Sequence, residues 1–163
     1  MLFRSVAATA KTLPRTLNTI SRRTYVEAVE NALKLQFSLP HETLYSGSKV
    51  NQVNLPAQSG KMGILANHVP TIEQLSPGVV EILEEGSNTA KKYFISGGFA
   101  TVQPNSVLSI TAAEAFPLES FSQDNIRKLL TEAKGKLSNS DAVTAAEAAI
   151  TVEVLEQLEA ATK

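Results

Sequence analysis

Between residues 33 and 39 the chain alternates: Leu33, Leu35, Phe37 and Leu39 are apolar, and Lys34, Gln36 and Ser38 between them are polar. A period of two puts the apolar set on one face, so the stretch predicts a half-buried β-strand. Similar runs follow at KVNQVNLP, GVVEIL, KKYFIS, FATVQ and VLSITA, with Phe99 read as a buried residue of its strand. Turn signals punctuate them at Ser46-Gly47, Ser59-Gly60, Pro77-Gly78, Gly86-Ser87-Asn88, Gly97-Gly98 and Pro104-Asn105. Gly97-Gly98 reads as a bulge or a tight hairpin. Many short strands with no helical period between them predict an antiparallel sandwich or barrel rather than a parallel sheet.

Beyond Pro117 the period changes. Ile126, Leu129, Leu130, Ala133 and Leu137 step by three and four, and a second series runs Val143, Ala146, Ile150, Val154 and Leu158. Each predicts the buried stripe of a helix. The segment KLSNSD joins them, with Ser140 or Asp141 as the candidate N-cap. The expected fold is therefore α+β, an N-terminal antiparallel β-sandwich over 33–117 followed by an antiparallel two-helix hairpin over 118–163. Two short helices bury only one face each and are marginal alone, so either the sandwich or a partner must cover the surplus apolar surface.

Charge adds a third region. Residues 1–25 hold Arg4, Lys11, Arg15, Arg22 and Arg23 and no acid, whereas the rest of the chain carries ten basic residues against sixteen acidic ones. On a helix, Phe3, Val6, Ala10, Leu13, Leu17 and Ile20 fall opposite the basic residues. An acid-free, Arg- and Ser/Thr-bearing amphipathic N-terminus predicts a mitochondrial transit peptide over 1–25, cut near Tyr25 and Val26, with 26–32 a short lead into the sandwich. At 163 residues and 43% hydrophobic, the chain has enough material for one modest domain or two small ones. It has no cysteine, so thiolate chemistry, disulfides and cysteine-built zinc sites are excluded. No apolar run approaches the roughly 20 residues of a membrane-spanning helix, so a soluble chain is expected, one that could still touch a membrane protein.

Catalytic patterns are sparse. No phosphate-binding loop and no G-x-G-x-x-G after a strand is present. Ser96, His68 and Asp124 or Asp141 make a triad on paper only, since no serine sits in a nucleophile elbow. His41 and His68 lack metal-ligand spacing, so no metal or cofactor is expected. The acidic balance after residue 25 and the lack of a basic stripe with interleaved aromatics speak against nucleic acid. Three readings remain: a protein built to hold partners, a small matrix enzyme with His68 as base, and a matrix adaptor.

The stretches GKMGILANHVPTIEQLSPGVVEI and FISGGFATVQPNSVLSITAAEA decide between them. They resemble the family of rotary ATP synthase subunits called epsilon in bacteria and chloroplasts and delta in mitochondria, whose pattern G-x-x-G-I-L-x-x-H-x-P-x-x-x-x-L-x-P-G-x-x-x-I and S-G-G-F-x-x-V is matched at Gly60, Gly63, Ile64, Leu65, His68, Pro70, Leu75, Pro77, Gly78, Ile82, Ser96, Gly97, Gly98, Phe99 and Val102. The resemblance implies a non-catalytic rotor subunit on the matrix side of the mitochondrial inner membrane. Its implied partners are the gamma subunit, the small epsilon subunit and the c-ring, and it is not a homo-oligomer. It further implies that Ser59, Gly60, Lys61, Met62 and His68 face the c-ring, although Lys61 stands where some bacterial members have an acid. Some of those members also bind ATP through an acid at the start of the second helix and an arginine three residues later. Here Asp141 is followed by Thr144, so no ATP sensing is expected.

Overall fold

The computed structural model describes residues 32–138 and 141–162. The transit-peptide reading, its cut near Tyr25 and Val26, most of the 26–32 lead and the cap candidate Ser140 lie outside the described residues. Among the described residues nine strands precede two helices: β1 (Leu33–Ser38), β2 (Thr43–Ala57), β3 (Gly60–Ile64), β4 (Thr71–Leu75), β5 (Gly78–Glu84), β6 (Lys91–Ile95), β7 (Gly98–Gln103), β8 (Val107–Ala112) and β9 (Ala115–Pro117). The helices are α1 (Gln123–Lys136) and α2 (Ala142–Ala161), entered through a 3₁₀ turn at Leu118–Ser120.

The strands run in the order β1-β8-β7-β4-β2-β5-β6-β9, with β3 on β2 and β1 also paired to β2. The long β2 closes the arrangement. Its first part pairs with β1 from Ser38↔Thr43 to Leu33↔Val50, and its later part pairs with β5 and β3. One sheet thus folds over on itself into a sandwich, antiparallel throughout except for the parallel pair β1–β8. The alternation of β1 does what its period predicts: Leu33, Leu35 and Phe37 are fully buried and meet Val53, Ile64, Val80, Ile82, Ile95, Leu108 and Ile110 in one core. Each such side chain contributes on the order of 1.5–3 kcal/mol by leaving water.

Three turn signals resolve differently from one another. Pro104-Asn105 sits in the loop between β7 and β8, closed by the pair Gln103↔Val107. Ser46-Gly47 is no turn: Gly47 is an unpaired bulge inside β2, between the pairs Gln36↔Ser46 and Leu35↔Ser48, at φ +79°. A bulge of this kind asks for a residue that tolerates a left-handed backbone. Gly97-Gly98 is neither bulge nor hairpin, because β6 pairs with β5 and β9 while β7 pairs with β4 and β8. The chain crosses between layers there, and a Cβ on Gly98 would stand 2.3 Å from the Thr111 carbonyl oxygen. Close backbone approach is the reason for glycine at that point.

The hairpin packs on the sandwich. Val79 and Phe94, a cross-strand pair on the outside of β5 and β6, meet Ile126, Leu130, Leu155 and Leu158, with Phe121 edge-on to Phe94 at 5.9 Å between ring centres. Two surface ion pairs, Arg127 with the half-buried Glu159 at 3.7 Å and the exposed Lys134–Glu156 at 2.9 Å, link the helices. Surface pairs of this kind are worth only about 0.2–1 kcal/mol each. Asp141 is the N-cap of α2, its Oδ2 accepting from the Thr144 N–H at 3.1 Å and from the Thr144 hydroxyl at 2.5 Å.

The helical stripes need correction. On α1, Ile126, Leu130 and Ala133 are buried, but Leu129 and Leu137 are exposed. On α2 the buried residues are Ala148, Leu155 and Leu158, whereas Val143 and Ile150, expected inside, are 65% and 66% exposed. The cause is composition: α2 is apolar nearly all round, so a three-and-four spacing can be traced along more than one face. Phe99 also differs from its expectation, at 59% exposed.

Candidate functional interface

The five sequence candidates divide between two loops. Ser59, Gly60, Lys61 and Met62 belong to the hairpin of β2 and β3, where Ala57 pairs with Gly60 across a two-residue turn. The turn is tied sideways to β4, by the Ser59 hydroxyl donating to Glu73 Oε2 at 3.1 Å and the Gln58 N–H donating to the Gln74 carbonyl at 2.9 Å. Lys61 is exposed opposite Pro56, whereas Met62 is half-buried and packs against the sandwich core.

His68 lies on the separate loop between β3 and β4, half-buried. Asn67 holds that loop in place at φ +60°: its N–H donates to Ser106 Oγ at 2.9 Å, and the Ser106 hydroxyl donates back to Asn67 Oδ1 at 3.2 Å. The buried Ser106 stands in the loop between β7 and β8 and accepts the Lys34 N–H on its own carbonyl. His68 Nδ1 is 2.8 Å from the Val69 carbonyl oxygen. A carbonyl only accepts, so Nδ1 carries the proton, and in the neutral ring Nε2 is left as an acceptor. A ring anchored to its neighbour's backbone, with no carboxylate or nucleophile among the described residues bonded to it, is fitted to shape a loop and offer one hydrogen bond. Among the described residues no group of three His, Asp or Glu side chains is placed to hold a metal ion.

Sequence reasoning missed the apolar surface beside this loop. Ile72 on β4 is 73% exposed and Phe99 on β7 is 59% exposed. The register Ile72↔Thr101 and Gln74↔Phe99 places the two diagonally on one outward face, and Leu65 and Val69 in the adjoining loop are also exposed. The signal was present in the phase of FATV: Ala100 and Val102 point inward, so Phe99 shares the outer face with Thr101. An apolar patch of this kind, rimmed by polar residues, marks a contact surface.

A cleft of about 330 Å³ between β2, β5 and the end of α2 includes Lys61 in its lining. Its polar groups serve one another: Asn54 Nδ2 donates to Glu81 Oε2 at 3.0 Å and Lys92 pairs with Glu81 at 3.2 Å. The Asn54 hydrogen bond, opposed by partial burial and reinforced by Lys92, holds the Glu81 carboxyl below its usual range. At the far end of β5, Glu84 Oε1 accepts from Lys91 and from the buried Tyr45 hydroxyl, and these bonds lower the carboxyl in the same way.

Residues 32–117 match the family model "ATP synthase, Delta/Epsilon chain, beta-sandwich domain". The chain belongs to the ATP synthase delta/epsilon family. Residues 121–160 also match a model for the C-terminal domain of the fungal epsilon subunit of F1F0-ATP synthase. The mitochondrial ATP synthase subunit delta of Saccharomyces cerevisiae is 66% identical over 155 residues, covering 94% of this chain and 96% of the relative. That of Kluyveromyces lactis is 64% identical with the same coverage. Among solved structures, a chain of the Euglena gracilis mitochondrial ATP synthase OSCP/F1/c-ring assembly superposes with a TM-score of 0.79 at 29% identity, covering 96% of this chain and all of the other. A chain from the Tetrahymena thermophila central stalk and c-ring gives 0.61 at 16% identity over 80% of this chain and 96% of that one, which is a likeness of fold. In this delta/epsilon chain Asp141 is engaged in capping α2 through Thr144.

Proposed function

We propose that this chain serves as a non-catalytic central-stalk subunit of a mitochondrial F-type ATP synthase, linking the gamma subunit to the c-ring and coupling proton translocation to ATP synthesis. The observation that carries the reading is 66% identity to a mitochondrial subunit delta across sandwich and hairpin together. The catalytic sites lie on other subunits, and the protein works on the matrix side of the inner membrane after losing residues 1–25. No helix among the described residues is long and apolar enough to cross a membrane, in keeping with a peripheral place.

The ring-side surface is the loop end carrying Ser59, Gly60, Lys61 and His68. Support comes from how these loops are built: each is pinned by side-chain hydrogen bonds to a neighbouring strand or turn, which leaves them rigid enough to hold a contact under load. Met62 acts from beneath, as packing under the turn. The outward face of Ile72 and Phe99 meets gamma, and epsilon fixes the whole in place. Membranes lacking this chain provide the test. Proton-driven ATP synthesis and oligomycin-sensitive hydrolysis are both expected to collapse, and normal levels of both would refute the assignment.

A further inference from the structure

We infer that Asn67 and Ser106 are positioning residues for coupling to the ring: two reciprocal hydrogen bonds between them lock the turn 65–68 in the shape that sets out His68 and Val69, and this end of the sandwich docks through the locked turn. The inference rests on reading that loop end as the ring-side surface. Among the described residues, six have a backbone at positive φ. Four are glycines, and the other two, Asn67 at φ +60° and Ser106 at φ +57°, are bonded to each other.

Both positions ask for a left-handed backbone. In the turn 65–68 the His68 N–H donates to the Leu65 carbonyl at 3.3 Å, and Asn67, third of the four, takes the place that a type II turn reserves for Gly or Asn. Ser106 ends the three-residue loop closed by Gln103↔Val107, at the left-handed position of such hairpins. Serine is not among the side chains enriched in that conformation, so something must offset the strain. Its hydroxyl is used twice, accepting from the Asn67 N–H at 2.9 Å and donating to Asn67 Oδ1 at 3.2 Å, while its carbonyl takes the Lys34 N–H of β1 at 2.9 Å. One buried serine therefore ties β1, the β7–β8 loop and the β3–β4 loop together. The core gains little from this, because Leu65 and Val69, which begin and follow the turn, are 52% and 74% exposed and Asn67 is exposed too. What the bonds fix is the shape of an outward loop, and a loop already held in its contact shape binds more tightly than one that must be ordered.

Glycine separates the two roles open to Ser106. Ser106→Gly removes both side-chain bonds and the strain together, so a serine that served only the hairpin would be replaced without loss. The variant chain is assembled into F1, whose binding to purified c-ring is measured beside melting and amide exchange of the mature chain. Melting should stay within about 4 °C of the parent, while the Asn67 amide should exchange about tenfold faster. Binding to the ring should weaken about threefold or more, because the loop then holds its contact shape for only part of the time. Adding Asn67→Gly should weaken binding no more than about 1.5-fold further, since the bonds it removes are already gone. Unchanged ring binding by a Ser106→Gly F1 overturns the inference. So do an unchanged Asn67 exchange rate, a large fall in melting temperature, and additive losses in the double variant. Those outcomes leave the stalk assignment standing. F1 lacking this chain that binds the ring as tightly as the parent removes the assignment, and the role of the pair with it.

Discussion

The sandwich and the hairpin are both built from alternating or stepping apolar residues, yet they hold together in different ways. In the sandwich every strand contributes to one core, and its largest members, such as Phe37, Ile82 and Ile110, are almost completely enclosed. In the hairpin the shared cluster is smaller, it leans on Phe94 and Val79 of the sheet, and α2 turns a second apolar side outward. The sandwich is self-sufficient by burial. The hairpin is stable as a guest on the sheet and keeps surface in reserve for a partner, which fits a stalk part that is gripped from several sides.

Two truncations separate the regions most strongly. Phe37→Ala removes a fully enclosed ring and should destabilise the protein by about 3–5 kcal/mol, read from denaturant unfolding of the mature chain. Leu155→Ala, at the rim of the smaller cluster, should cost about 2 kcal/mol. Its effect should appear as faster amide exchange in α1 and α2 with little change in β1 or β8. Equal exchange losses in both regions after Leu155→Ala would mean that the hairpin and sandwich open as one unit.

The fold was largely legible because β1 and its neighbours alternate without ambiguity, and because the period changes at Pro117. The short strands escaped notice for a physical reason: GKMGI and AFP hold too few apolar positions to establish a period, and they exist because β2 and β6 offer edges to pair with. The α2 stripe was misassigned because an all-round apolar helix fixes no phase by itself. The loop candidates came from resemblance alone, and no periodicity points to Ser59 or His68. Asn67, which shapes the His68 loop through the buried Ser106, carries no signal in a single sequence beyond a polar residue two places before a Val-Pro step.

The cap and the carboxylates test the next level of the comparison, where local bonds rather than burial are at issue. Asp141→Ala should raise exchange of the first-turn amides of α2 about threefold or more, and Asp141→Asn should restore most of the protection, since both Asp and Asn cap well. On the sheet, Glu81 and Glu84 sit below the usual glutamate range in the fold. Their contribution is fully present above the unfolded value, about 4.3, and is lost as pH falls through that value toward the folded ones. The melting temperature should therefore drop as pH falls below about 5, and Glu81→Gln should make the drop shallower. An unchanged slope would show that the Asn54 and Lys92 bonds to Glu81 are spent without coupling to folding.

The smallest effect on folding is expected at a large apolar residue that the sheet leaves exposed. Phe99 lies outward on β7, beside Thr101 and across from Gln74, while its neighbours Ala100 and Val102 point into the core. Phe99→Asp removes no enclosed packing, and an exposed carboxylate on that face keeps its water. The isolated mature protein should lose no more than about 0.5 kcal/mol, the usual range for surface substitutions. Within the assembled enzyme the same change places a charge at the centre of an apolar contact, where desolvation is costly and no partner is supplied. Retention of the chain in purified ATP synthase should then fall well below that of Lys61→Glu, a rim change worth at most about 1 kcal/mol. A Phe99→Asp protein that unfolds alone would return Phe99 to the core. One that folds and assembles normally would show that the outer face of β4 and β7 is left bare in the stalk.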